Sequence, residues 1–166
     1  MLVKRTIRGA VAVLAVVTMF LGAAPAQAEP GDPAPPAPLG TRENPALISA
    51  SVGCGSVCDG QNPSTWYVYF GGYPETCQAD ATTVRSTKLG SFLLELRYSP
   101  MCRTAWTRVN SSSWYPSIRS YYLDGRVRTA YEGFAGGRYT VMVNDKNLLA
   151  RAEANNGPTF AYTAKY

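Results

Sequence analysis

The sequence contains no histidine. That removes the usual Ser-His and Cys-His nucleophile pairs and the commonest metal ligand. No glycine pair is followed by the Lys-Ser/Thr of a phosphate loop, since Gly71-Gly72 and Gly136-Gly137 both lack it. Apolar runs are scarce as well. One run, Ala10 to Ala24, is shorter than the roughly 18 residues of a membrane span, and no second run of that kind follows. Carboxylate chemistry of the glycosidase type survives as the remaining enzymatic route, through Asp59, Asp80, Glu95, Asp124, Glu132, Asp145 and Glu153. No spacing among them singles out a pair, so the expectation is a protein that is not an enzyme.

What is present begins with an export signal. Lys4, Arg5 and Arg8 precede the apolar run, and Ala26-Gln27-Ala28 forms a small-x-small cleavage site. Residues 1–28 read as a signal peptide, with secretion to the extracellular space or the cell wall as the destination. The full chain carries 16 basic and 11 acidic residues; the signal removes three basic ones, so the mature chain is 13 minus 11, or +2. Residues 29–45 hold six prolines and read as an extended spacer. Residues 46–166 read as one domain.

Cys54, Cys58, Cys77 and Cys102 form an even set in an exported chain, which predicts two disulfides. With no histidine and no second close pair, the spacing argues against a zinc site. Because a Cys54–Cys58 bridge closes a very small loop, the preferred pairing is Cys58–Cys77 with Cys54–Cys102. No cofactor is implied, and Asp59 to Pro63 reads as a turn rather than a calcium loop.

Short strand patterns fill the domain. Trp66 to Phe70 is bounded by Gly71-Gly72. Thr82 to Leu89 turns at Gly90-Ser91 into a strand with Leu94, Leu96 and Tyr98 on its core face and Glu95 and Arg97 opposite. Ser99-Pro100 stops that strand and could cap a helical turn placing Cys102 and Trp106 on one face. Asp124-Gly125 marks a hairpin. Tyr139 to Val143, Leu148 to Ala154 (strand preferred over helix) and Thr159 to Thr163, with Phe160 and Tyr162 on one face, complete the set. The fold class is mainly β: a small antiparallel sandwich or barrel, disulfide-braced, with at most one or two short helical turns.

Cys54-x-x-x-Cys58-Asp59-Gly60, then Cys77 with Asp80-Ala81-Thr82-Thr83, then Glu95-Leu96-Arg97-Tyr98-Ser99-Pro100-x-Cys102-Arg103-x-Ala105-Trp106, together resemble the YjfA-like family. That family consists of small secreted bacterial proteins of unknown function. This chain has Gln61-Asn62-Pro63 where the family continues Lys-Asp-Pro. The resemblance implies a secreted single domain and supplies no catalytic residue.

Between Arg85 and Arg138 stand nine basic residues against Glu95, Asp124 and Glu132, a local +6 interleaved with tyrosine and tryptophan. This suggests a docking surface for an anionic wall polymer, with Arg126, Arg128, Tyr131, Arg119 and Tyr121 as its candidates and nucleic acid disfavoured by export. Arg126 and Arg128, beside the turn, are expected to be exposed. The alternative is an interaction protein, such as an inhibitor of a protease or wall hydrolase, presenting the Ser99–Arg103 loop.

Overall fold

The structure is a computed structural model that describes residues 36–48 and 53–166. The signal segment and residues 29–35 of the spacer lie outside the described residues. Eleven strands are described: β1 Ala46–Leu47, β2 Tyr67–Phe70, β3 Tyr73–Thr76, β4 Thr82–Leu89, β5 Phe92–Ser99, β6 Thr104–Val109, β7 Tyr115–Tyr121, β8 Val127–Glu132, β9 Val143–Asn144, β10 Leu149–Asn155 and β11 Phe160–Tyr162. The only described helical piece is a short 3-10 turn, Gly55–Cys58. The domain is mainly β, as its alternating pattern predicts.

Three sheets result, ordered β1-β2-β3, β4-β5-β6-β9 and β11-β10-β7-β8. Every pairing is antiparallel except β1 with β2. Alternation along β5 and β6 explains how they stack. Leu94, Leu96, Ala105 and Val109 face one way, into a core shared with Ile118, Ala150, Ala152 and Ala154 of the third sheet. Phe92 and Trp114 stack in parallel at its edge, ring centroids 3.8 Å apart. Trp106, one residue out of phase, faces the opposite way, into a second core with Val68, Met101, Met142 and all four cysteines. The middle sheet is therefore packed on both faces.

Three expectations meet corrections here. The disulfides are Cys54–Cys58 and Cys77–Cys102, not the crossed pairing. The 3-10 turn folds Cys54 and Cys58 to a Cα separation of 5.8 Å, ordinary for a bridge despite the four-residue spacing. Cys77 and Cys102 come within 5.6 Å because the end of β3 runs beside the corner between β5 and β6. Second, Ser99 does cap a single turn, with Cys102 N donating to its Oγ and Arg103 N to its O, but the turn does not continue as a helix to Trp106, which lies on strand β6 and meets Cys102 through the second core. Third, residues 36–45 are tied to the domain instead of extending from it. Gly40 N donates to Asn44 O, Asn44 Nδ2 to Ala37 O and Tyr67 N to Gly40 O. The Trp66 ring sits where a Cβ on Gly40 would be, 2.1 Å away, and Gly40 has φ +85°, so glycine alone fits there. Proline content could not reveal that contact.

Elsewhere the pattern reading holds, with one dilution. Gly90, at φ +59°, turns β4 into β5, and Gly125, at φ +89°, closes the hairpin of β7 and β8. Leu149–Asn155 is a strand. Tyr139 to Val143 is mostly irregular, tied to β6 by Val109 N to Arg138 O and Thr140 N to Thr107 O; only Val143–Asn144 forms a strand.

Candidate functional site

The residues that carry the sequence resemblance brace the middle sheet. The Asp80 carboxylate accepts from Ser99 Oγ at 2.6 Å and from Met101 N at 2.7 Å, fixing the pre-proline corner. Cys102 N donates back to Ser99 Oγ. Thr83 Oγ1 donates to Glu95 Oε1 at 2.8 Å and accepts from Arg97, whose other nitrogen reaches Ala81 O. Burial, then the neighbouring Arg108 charge, hold the Arg97 guanidinium below its usual pKa. Ser99 and Cys102 are fully buried and Met101 nearly so. Of the loop expected to enter an enzyme cleft, Met101 and Cys102 join the second core while Pro100 stays exposed.

The sulfurs of Cys54, Cys58 and Cys77 all lie within 4.8 Å of one another. Chain spacing does not suggest this cluster. It arises because the two disulfides pack against each other, and no free cysteine exists among the described residues.

The local excess of arginine looks different in space. Arg108 pairs with Glu95, Arg119 with Glu153, Arg126 with Asp124 and Arg128 with Asp59. Four of the nine cations are thus paired. Arg128, expected at the surface, is largely buried: its side chain is 16 % exposed and forks onto Asp59, which also accepts from Asn144 N at 2.8 Å. This pairing raises the Arg128 pKa. The cause of the error is the register shift at Ser120/Tyr121, which breaks the simple alternation in β8. Tyr131 packs partly against the main core and lies against Gly60. Arg126 is exposed but held by Asp124, at 2.8 Å, beside the Tyr122 ring. A backbone and a side-chain hydrogen bond from Arg126 lower the Asp124 pKa.

Arg119 and Tyr121 do come together, on the outer face of the β11-β10-β7-β8 sheet. Register places Arg119 opposite Arg151, and Glu153 opposite Ser117 and Tyr162. The Glu153 carboxylate is 1 % exposed, and both Arg119 Nε and Arg151 Nε donate to it at 2.8 Å. This pairing raises the Arg119 pKa. Burial raises that of Tyr121, whose hydroxyl reaches Glu153 Oε1. Arg151 lies over the rings of Tyr121 and Tyr162, and Lys165 Nζ stands 3.8 Å from the Tyr121 centroid. The next row of the sheet aligns Phe160, Asn155 and Tyr115. Phe160, Tyr162 and Tyr115 are 54 %, 57 % and 52 % exposed. The arrangement is an aromatic platform around a locked guanidinium–carboxylate centre. Sequence reasoning missed Arg151, Phe160, Tyr162 and Tyr115 as parts of this surface and offered Glu153 only as a catalytic carboxylate; the alternation of Phe160 and Tyr162 is the available signal, with small Ala161 between them as the inward residue.

No curated protein and no solved structure matches the chain. A family model described as "Protein of unknown function (DUF2690)" matches residues 56–158, well over half of the 166 residues. That span runs from the 3-10 turn through the bracing network to just beyond β10, stopping short of β11, and the chain belongs to the DUF2690 family.

Proposed function

We propose that this protein is a secreted, non-catalytic binding module that holds a glycan polymer of the cell envelope on the outer face of the β11-β10-β7-β8 sheet. The YjfA-like likeness of the Cys54–Trp106 segment is proposed as the finer family placement. Export is supported by the signal-like first 28 residues and by two disulfides, which persist in oxidising compartments. Among the described residues no helix is long and apolar enough to cross a membrane. A non-catalytic role is supported by the lack of histidine and by the arginine partners of Asp59, Glu95, Asp124 and Glu153.

The observation that carries the reading is the exposed row of Phe160 and Tyr115 beside Tyr162. Clustered exposed aromatics mark interaction surfaces, and flat rings suit the apolar faces of sugar rings. The guanidiniums beside them donate to hydroxyl or acidic groups. Charges on this face are Arg119, Arg151 and Lys165 against Glu153 and Glu132, or 3 minus 2, +1. Stacking therefore outweighs the long-range field, and retention should survive the salt that screens exposed charges. In a pull-down with purified wall, the double variant Phe160→Ser/Tyr162→Ser should lose at least about tenfold in retention with an unchanged melting temperature, since surface changes stay within about 0.5 kcal/mol. Unchanged retention by the folded variant overturns the reading, and loss of wild-type retention at 1 M salt would return the weight to electrostatics.

A further inference from the structure

A second site lies on the Trp106 face of the middle sheet, beyond the part that the second core covers. Between β5, β6 and the segment around Arg138 is a cleft of about 370 Å³, lined by Gln78, Glu95, Arg108, Arg138 and Tyr139 among others. That size is at the lower end of small-ligand sites, roughly 300–1,000 Å³.

The walls are stiff. Asn110 exchanges bonds with Leu93 through N to O at 3.2 Å and Oδ1 from Leu93 N at 2.8 Å, and its Nδ2 donates to Ser91 O. Val109 N binds Arg138 O at 2.9 Å, and the Tyr139 hydroxyl is held by Ser64 Oγ at 2.7 Å. Arg108 is held on β6, and the segment bearing Arg138 is bonded to the end of that strand, which keeps these two donors in place when a ligand arrives.

The donors outnumber what the protein uses. Arg108 gives only Nε to Glu95, at 2.5 Å, and Arg138 gives only Nη1, to Asn110 O. Both Nη groups of Arg108, Nη2 of Arg138 and the Gln78 side-chain amide have no hydrogen-bond partner among the described residues. Glu95 is already engaged by Thr83 and Arg108. The lining thus carries two guanidiniums against one spent carboxylate, +1.

We infer that this cleft binds an oxyanion, a carboxylate or a phosphate, between the guanidiniums of Arg108 and Arg138 with the Gln78 amide as a third donor. Planar guanidinium forks match both groups. The site is independent of the aromatic platform, so either can fail alone.

The experiment is amide-shift titration of the intact secreted protein with N-acetylglycine as the carboxylate probe and glycerol phosphate as the phosphate probe. The expected result is a saturable shift at Gln78, Leu93, Asn110 and Tyr139 with one probe, and the responding probe names the group. Arg138→Gln should weaken binding at least about tenfold, while Arg138→Lys, keeping the charge, should recover part of it. If Arg138→Gln disturbs the Asn110 turn, Gln78→Ala tests the third donor without removing a hydrogen bond within the fold. Non-saturable shifts with both probes, or equal affinity in the variants, overturn the inference.

Discussion

The two outer faces of this domain spend their charged and aromatic residues differently. On the disulfide side, Trp106 is 2 % exposed beneath β1–β3 and the bridges, and Asp80 and Ser99 bind each other while Thr83 links Glu95 and Arg97, with Arg108 and backbone as their further partners. On the open side, Glu153 is equally well bound, yet Phe160, Tyr162 and Tyr115 stand in solvent around it. The contrast separates scaffold from surface. A polar network under a covering layer fixes a corner; the same kind of network under nothing but aromatic rings holds a platform level.

The sharpest break between the two sides is stability. Trp106→Ala should cost about 3–5 kcal/mol, because a fully packed ring is replaced by a cavity. Leu96→Ala, at 0 % exposure on the opposite face of the same sheet, should cost about 2–5 kcal/mol. Tyr162→Ser, in contrast, should stay within about 0.5 kcal/mol. Urea unfolding of the three variants checks this, and a costly Tyr162→Ser would show that the open face is itself packed.

A somewhat smaller effect separates two neighbouring arginines. Arg128→Ser leaves Asp59 poorly solvated with its charge unmatched, and should cost about 3 kcal/mol. Arg126→Ser loses only an exposed pair, worth about 0–1 kcal/mol. Equal melting temperatures for the two would mean that the Asp59–Arg128 fork contributes little in solution.

These cases also show what a sequence can disclose. Leu94, Leu96 and Tyr98 sort correctly because β5 puts its large apolar residues on one face and polar ones on the other, and period-2 alternation records it. The Asp124-Gly125 hairpin is legible because its turn needs positive φ. Arg128 is misplaced because a bulge shifts the phase, and no residue type announces it. The disulfide pairing escapes because loop length was weighed without the 3-10 turn that folds Cys54 onto Cys58. Of the platform, Arg119 and Tyr121 were found through local charge; Arg151, Glu153 and the exposed rings join them only through the pairing of β7 with β10, which are separated by a hairpin and a long irregular segment.

The smallest effect contrasts two buried carboxyls. Glu153 receives Arg119 and Arg151, whereas Asp145, 8 % exposed, has an Oδ1 with no hydrogen bond. Burial pushes the Asp145 pKa up to about 8, against the opposing charge of Arg103. An unfolded aspartate titrates near 3.9. Between these values the native chain keeps a proton that the unfolded chain has lost. The native state binds more protons, so stability falls as pH rises from about 4 through about 8. Asp145→Asn removes this titration and keeps the neutral shape. Relative to wild type, it should gain about 1 kcal/mol or more between pH 5 and pH 8, since one pKa unit corresponds to about 1.4 kcal/mol. Glu153→Gln should do the reverse in sign at pH 8, destabilising by leaving two guanidiniums without their anion. Urea titrations at the two pH values decide it. Parallel pH profiles for wild type and Asp145→Asn would place the Asp145 carboxyl in contact with water or fully paired with Arg103, and the two carboxyls would then differ in place alone.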